Sequence, residues 1–195
     1  CFQHYLLIDT DFITVRTEKI IRYTSYVICF LAILILLKPA FFYAKGMLIN
    51  SRLRYEWGES KSNHQINRHN RSIYPIGMLE IKRLGLSSII TGGDLEKGLD
   101  VSVAHIPKTS MPGREGNIGL SGHRDTFFKK LKYIKINDVI ELEHLDGLDQ
   151  YVVYDIKIIN PSETNYLHQS NNQMLTLITC YPFDYIGKAP QRYMI

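Results

Sequence analysis

The chain has 195 residues, a hydrophobic content of 45% and a formal net charge of +4, which suits one domain of ordinary size with a membrane anchor. The charge is uneven, because residues 1–72 hold 10 of the 23 basic residues and only 5 of the 19 acidic ones. The remainder is nearly neutral and lacks the single-signed field that nucleic-acid binding requires, so nucleic acid is excluded as a partner.

An apolar run near the N-terminus predicts a single transmembrane helix. Residues 23–37 contain no charged residue, and the run reaches residue 44 with one interruption, Lys38. Its length matches the roughly 20 residues that a helix needs to cross the hydrocarbon core. We therefore expect an anchor at 23–44 rather than a buried core helix or a signal peptide, because Phe42-Tyr43-Ala44 is a poor cleavage site. Basic residues flank the run on both sides, so they do not decide its orientation.

Two short segments flank this anchor. Residues 1–22 precede it, and because the chain opens with Cys1 and not with methionine, we expect a fragment or a mis-started reading frame. Residues 45–72 are mostly polar, which predicts a juxtamembrane helix followed by a hydrophilic tether.

The domain proper is expected at 73–195, where the sequence is typical of a mainly β fold. Short β-branched or alternating runs are separated by glycine, proline and Asn/Asp clusters. The predicted strands are Met78 to Ile81, Ser88 to Thr91, Ile118 to Ser121, Val139 to Leu142, Tyr151 to Ile159 and Met174 to Thr179. Many short strands with few helices predict a closed or nearly closed β-barrel. The last residues read as a strand that stops at Ile195, so we expect a truncated C-terminus.

A thiol, an imidazole and a guanidinium stand where predicted strands meet loops. Cys180 is the only cysteine after Cys29, so it has no disulfide partner in the β domain and suits a nucleophile that forms a thioester. His123 suits proton transfer, because histidine titrates near neutral pH. Arg192 suits stabilisation of an oxyanion, because a guanidinium keeps its charge and offers several donors. The three could carry acyl transfer from a peptide if their strand ends converge at one rim.

The segments around these residues resemble signature blocks of the sortase family, specifically of class D. The main blocks are Gly122-His123-Arg124-Asp125-Thr126-Phe127-Phe128, Leu175-Thr176-Leu177-Ile178-Thr179-Cys180-Tyr181-Pro182-Phe183 and Gly187-Lys188-Ala189-Pro190-Gln191-Arg192. The resemblance covers 73–195. It is specific because all the blocks occur in order behind a membrane anchor.

The resemblance implies a closed eight-stranded β-barrel with short helices, and a cysteine transpeptidase activity. Such enzymes cleave a Leu-Pro-x-Thr-Gly-like C-terminal sorting signal after threonine and pass the threonyl carbonyl to an amine of a peptidoglycan precursor or a protein. On this template Cys180 is the nucleophile, His123 protonates the leaving amine, and Arg192 stabilises the oxyanion and positions the substrate. The implied partners are surface proteins with such signals, the amine acceptor and the membrane.

The family also places the N-terminus in the cytoplasm, the single-pass anchor in the cell membrane and the catalytic domain outside the cell. We expect no cofactor and no metal. Calcium dependence is not predicted either, because the scattered acidic residues form no recognisable calcium loop.

Three alternatives stay open at the level of sequence. A pilin-polymerising sortase usually carries a lid over the cysteine, and residues 45–72 do not clearly supply one. A peptidoglycan transpeptidase that uses cysteine would carry histidine–glycine and Ser-His-Gly-Cys patterns, which are missing here. A truncated chain could also be a catalytically impaired domain that only binds sorting signals.

The remaining candidates receive structural roles. We expect Asp125 and Thr126 to cap a short helix that begins near Phe127. The polar loop 160–173 is expected to form one wall of a substrate groove. Of the other histidines, His144 and His168 are expected on the surface and His105 at a strand end without a catalytic role.

Overall fold

The computed structural model describes residues 3–163, 165–168 and 172–195. It divides into two compact units, of which the first ends at Lys45 and the second runs from Gly46 to Ile195. The first unit belongs to a long helix, α1 (Gln3–Asn63). Its segment Lys19–Leu37 has exposed side chains and is, among the described residues, a candidate membrane span by length and composition. This segment overlaps the predicted anchor at 23–44.

The C-terminal part of α1, residues 46–63, packs against the β domain. Leu53 and Trp57 are 4% and 3% exposed and form a small apolar cluster with Ile89 and Val101. The Trp57 indole N–H also donates to the Glu143 carboxylate at 2.9 Å. These contacts place the first part of the expected polar tether inside the second compact unit.

Nine strands form one sheet in the second unit. They are β1 (Ile73–Ile81), β2 (Leu86–Gly93), β3 (Val103–His105), β4 (Asn117–Ser121), β5 (Val139–His144), β6 (Gly147–Val152), β7 (Lys157–Ile159), β8 (Met174–Tyr181) and β9 (Gln191–Met194). Their order across the sheet is β6-β5-β1-β2-β3-β4-β8-β9-β7. The short helices are α2 (Leu95–Leu99) and the 3-10 helices Lys82–Leu84, Lys129–Tyr133 and Asn165–Leu167.

The sheet is a curled half-barrel, so the expectation of a closed eight-stranded barrel is wrong. Among the described strands, β6 and β7 are the two edges and do not pair with each other. The predicted strand Tyr151 to Ile159 is two strands in the structure, because β6 ends at Val152 and β7 begins at Lys157. Val153 still exchanges backbone bonds with the chain before β5, after which the backbone leaves that neighbour. The break adds a ninth strand and places β7 beside β9 at the far edge.

Aliphatic side chains from most strands fill the concave side of the sheet. The fully buried ones include Leu79, Ile81, Ile90, Val103, Ile118, Leu120, Leu142 and Leu177. Leu120 of β4 and Leu177 of β8 lie directly opposite each other, and burying a side chain of this size is worth about 1.5–3 kcal/mol. Since side chains alternate along a strand, this packing turns the even-numbered residues of β8 to the other face.

Candidate active site

The candidate catalytic residues belong to three adjacent strands and the chain that follows one of them. β4 and β8 run parallel with Ser121 opposite Ile178, and β8 and β9 run antiparallel with Cys180 opposite Arg192. Because β8 is the middle strand, its C-terminal end lies between the end of β4 and the start of β9. The three predicted residues therefore meet at one rim of the sheet.

Cys180 is the penultimate residue of β8, and its thiol is free. Its neighbour Thr179 and the core residue Leu177 are buried on the opposite face, whereas Cys180 is only half-buried. The strand thus holds the thiol firmly while leaving it open to an approaching substrate.

Arg192 lies directly across from Cys180 on β9. The Cβ atoms of such opposed residues lie about 4.5–5.5 Å apart, with both side chains on one face. The Arg192 guanidinium donates through Nη1 to the carbonyls of Ala189 at 3.3 Å and Gln191 at 3.0 Å. These bonds keep its charge at the start of β9, the strand next to Cys180.

His123 follows the end of β4 and flanks Cys180 on the other side. The Gly122 N–H donates to the Ile178 carbonyl at 3.3 Å, and the buried Thr179 hydroxyl donates to the Gly122 carbonyl at 2.6 Å. These two bonds hold the chain against β8 one residue past the last β4 pair. His123 itself is exposed, so its imidazole is available at the rim.

The predicted helix cap by Asp125 and Thr126 is wrong. The 3-10 helix begins at Lys129, its N-cap residue is Phe128, and that cap makes no side-chain hydrogen bond. The preceding chain is instead closed by backbone bonds, including one from the Phe128 N–H to the His123 carbonyl at 2.9 Å. Backbone hydrogen bonds, and not the Asp125 or Thr126 side chains, therefore satisfy the chain that precedes this helix.

The sequence predicts positions for three further histidines. His105 is buried in β3 with its Nε2 at 2.9 Å from the Ser110 carbonyl, and burial lowers the pKa of its ring. His168 is exposed, as predicted. The surface prediction for His144 is wrong, since it is 8% exposed. Its ring packs against Gly113, where a Cβ would lie only 2.5 Å from Nδ1.

Part of the loop 160–173 lies on the same face of the sheet as Cys180. The Asn117 side chain donates to the Tyr166 carbonyl at 2.7 Å, and a Cβ on Gly119 would approach the Leu167 side chain to 3.0 Å. The described part of this loop therefore borders the outer face of β4. Its role as a wall of a substrate groove stays a prediction, and residues 164 and 169–171 lie outside the described residues.

Aromatic rings pack around the end of β8, which the sequence analysis did not foresee. The rings of Tyr181 and Tyr193 stack with centroids 5.9 Å apart, and the Phe183 ring meets Tyr193 edge-on at 5.2 Å. Burial raises the pKa of Tyr193. The peptide bond between Tyr181 and Pro182 is cis, and the chain leaves the strand there.

Arg124 is a second residue at this rim to which the sequence analysis gave no role. Its guanidinium donates to the carbonyls of Pro182, Tyr185 and Gly187, all in the loop between β8 and β9. Its position next to His123 was the one sequence feature that could have identified it. The backbone carbonyls that it binds cannot be recognised from a sequence.

The site contains the groups that acyl transfer requires: a thiol, an imidazole and a fixed positive charge. Among the described residues, no group of three or more His, Cys, Asp or Glu side chains is arranged to hold a metal ion. Reaction without a metal or cofactor stays a prediction.

Comparison with known proteins matches this chain to one family. The sequence model of the sortase domain matches residues 79–195. Sortase D of Bacillus subtilis (strain 168) is 37% identical over 124 residues, which is 61% of this chain and 61% of that protein. The solved structure of a Clostridium perfringens Sortase D5 transpeptidase has a TM-score of 0.57 at 25% identity, over 71% of this chain and 84% of that one. Sortase C1 of Streptococcus agalactiae has a TM-score of 0.56 at 28% identity, over 62% and 64%.

Proposed function

The chain belongs to the sortase family, and we propose that it is a membrane-anchored cysteine transpeptidase of class D type that acts through Cys180. One observation carries this proposal: Cys180 lies opposite Arg192 and beside the segment that ends in His123. The proposed substrates are surface proteins with a Leu-Pro-x-Thr-Gly-like C-terminal signal. The likeness to Sortase D supports this choice.

In the proposed reaction, Cys180 passes its proton to His123 and its sulfur attacks the threonyl carbonyl carbon. The tetrahedral oxyanion collapses, the C–N bond breaks, and His123 returns the proton to the leaving amine. An acceptor amine then attacks the thioester and gives a proton to His123, and the C–S bond breaks to release the thiolate. Arg192 donates hydrogen bonds to the oxyanion in both steps, and its positive charge stabilises the negative charge that develops there.

The candidate span supports the proposed location. The anchor at 23–44 would lie in the cell membrane with the N-terminus in the cytoplasm and the β domain outside the cell. The acceptor amine would then be that of a peptidoglycan precursor or of another surface protein.

The test is turnover of a quenched Leu-Pro-x-Thr-Gly or Leu-Pro-x-Thr-Ala peptide by the full chain in detergent, with an added amine acceptor. We expect cleavage after threonine, a thioester on Cys180 by mass spectrometry, and a bell-shaped pH profile. Cys180→Ala should reduce turnover to background, and Arg192→Ala should reduce it by about 100- to 1,000-fold, as for other oxyanion donors. Equal signals from the wild type and Cys180→Ala would overturn the proposal and favour a domain that only binds sorting signals.

A pilin-polymerising activity is the second candidate, because this fold is shared with a Pilus-related Sortase C of Group B Streptococcus. The same assay separates the two when the acceptor is varied. Transfer only to a lysine side chain of a folded protein would favour polymerisation, and transfer to a small amine would favour cell-wall anchoring.

A further inference from the structure

The loop between β8 and β9, residues 182–190, links the candidate nucleophile to the candidate oxyanion donor. Gly187 has a positive φ of 94°, and the side chain of Ile186 is 97% exposed. Within this described stretch the backbone makes one hydrogen bond of its own, from the Tyr185 N–H to the Pro182 carbonyl, at a long 3.4 Å. The shape of the loop therefore depends on side-chain contacts.

Arg124 makes three of the side-chain hydrogen bonds that hold this loop. Its Nη1 donates to the Pro182 carbonyl at 3.1 Å, and its Nη2 donates to the carbonyls of Tyr185 and Gly187, the latter at 3.0 Å. Its Cζ also lies 5.8 Å from the centre of the Tyr185 ring, within range of a cation–π contact. Another contact to the loop, from Lys132 to Asp184, is 3.8 Å long and its carboxylate is exposed, so it contributes little.

Arg124 connects two segments of the candidate site. It is the residue after His123, so the guanidinium connects the backbone that carries the imidazole to the loop that follows Cys180. At the other end of the loop, Arg192 binds the Ala189 carbonyl. The loop is thus held between two guanidinium groups, one adjacent to His123 and one opposite Cys180.

We infer that Arg124 is a positioning residue, which fixes the loop 182–190 against the His123 segment and so sets the spacing of His123, Cys180 and Arg192. This inference rests on the proposed function and deepens it. The two terminal nitrogens of Arg124 donate to loop carbonyls, so its role is distinct from the oxyanion role proposed for Arg192. Lysine cannot replace it fully, because an ammonium is a point charge without the planar fork that spans several carbonyls.

The test compares Arg124→Ala and Arg124→Lys with the wild-type full chain in detergent. Arg83→Ala is the matched control, because Arg83 likewise binds a backbone carbonyl, that of Tyr133 at the end of a 3-10 helix, together with Asp138, but outside the candidate site. One readout is native digestion by a lysine-specific protease, followed by mass spectrometry of cleavage after Lys188. The others are kcat, KM and the pH profile of peptide turnover.

We expect Arg124→Ala to accelerate cleavage after Lys188 and to lower kcat by up to about 100-fold, the effect of misplacing reacting groups by about 1 Å. KM should change much less, the pH profile should shift, and Arg124→Lys should recover part of kcat. Arg83→Ala should lower the melting temperature without changing these readouts. If Arg124→Ala fails to fold, Arg124→Lys carries the same comparison with an intermediate effect.

Two outcomes would overturn the inference while the wild type is active. One is an unchanged kcat in both Arg124 variants. The other is a lower kcat without faster cleavage after Lys188, which would make Arg124 a direct substrate contact. An inactive wild type would overturn the proposed function instead, and faster cleavage after Lys188 would then still support the Arg124 clamp on the loop.

Discussion

Individual contacts between neighbouring strands determine where the candidate catalytic side chains lie. Arg192 faces Cys180 because it is the paired residue on β9, and the Thr179 hydroxyl fixes the carbonyl of Gly122, the residue before His123. A buried carbonyl that loses such a donor costs about 1–3 kcal/mol. Thr179, whose side chain lies on the face opposite to Cys180, therefore holds the Gly122–His123 segment in place.

His105 gives the second unit a pH-dependent stability. The Thr109 hydroxyl donates to the Ile106 carbonyl at 2.7 Å, so the His105 Nε2, at 3.0 Å from that hydroxyl, must be the donor in their contact. Burial lowers the pKa of His105 below its ordinary 6.5. The unfolded chain then binds the proton at a higher pH than the folded chain does, so the free energy of unfolding falls as the pH drops below 6.5 toward the lowered value.

We predict that His105→Gln flattens this dependence, because glutamine offers an N–H donor without titrating. The measurement is urea unfolding of the full chain in detergent between about pH 5 and pH 7, a range that starts just above the unfolded-state pKa of histidine and extends below it. His168→Gln is the control, since His168 is exposed. A slope in His105→Gln equal to that of the wild type would show that another group titrates.

At the level of elements, β1 approaches β5 unusually closely at Gly77. A Cβ there would lie 2.5 Å from the Glu143 carbonyl oxygen, which is backbone and cannot rotate away. The ladder between β1 and β2 also shifts register between Pro75 and Gly77. A glycine at this point lets β1 bend while it stays paired on both sides.

Gly77→Ala should therefore push β1 and β5 apart and lower the free energy of unfolding by about 1–3 kcal/mol, the usual cost of overpacking. Gly58→Ala is the matched control, because Gly58 lies in α1 with nothing within 4 Å of an added Cβ. That change should stabilise the chain by about 0.5–1 kcal/mol. Thermal unfolding of the two variants with the wild type measures both effects, and equal melting temperatures would contradict the close approach.

The sequence predicts a strand best where its apolar or β-branched run is short and is bounded by loop residues. The predicted run Met174 to Thr179 lies within β8, and Ile118 to Ser121 lies within β4. The run Tyr151 to Ile159 has the same β-branched character, but it is divided into β6 and β7 because the backbone leaves its neighbour after the hydrogen bonds at Val153. Local pattern specifies a strand, and the partner strand decides where it stops.

The same limit applies to the candidate site. The side chains of Cys180, His123 and Arg192 have chemistry that suits acyl transfer, so sequence alone could select them as candidates. Their register, the burial of His144 and the carbonyl ligands of Arg124 depend on which strands pair. These three features cannot be read from the residues that neighbour them in the sequence.

At the scale of the whole second unit, the helix 46–63 completes the fold. Trp57 and Leu53 cover Ile89 and Val101 on the outer side of the sheet, and Asn50 donates to the Val101 carbonyl at 2.7 Å. Contacts of this kind join residues far apart in the chain, such as Trp57 and Glu143. The compact unit therefore begins at Gly46, well before the first strand.

We predict that a fragment of residues 46–195 is more stable than one of residues 73–195 by at least about 3 kcal/mol, the cost of deleting a single buried tryptophan. Urea unfolding of both fragments measures the difference. Within the longer fragment, Trp57→Ala should reproduce much of it, and Tyr55→Ala should not, because Tyr55 is exposed. Equal midpoints for the two fragments would mean that the helix contributes no stability.

The parallel pairing of β4 with β8 has a consequence for how the site comes into being. A parallel neighbour requires a long connection, and here residues 122–173 separate β4 from β8, so their pairing is a non-local and intrinsically slow step. A slip of β8 by one residue would also turn Cys180 from the rim into the core. An accessible Cys180 thiol at this rim therefore reports that this non-local pairing has formed in the right register, and copies in which β8 slips by one residue would bury that thiol.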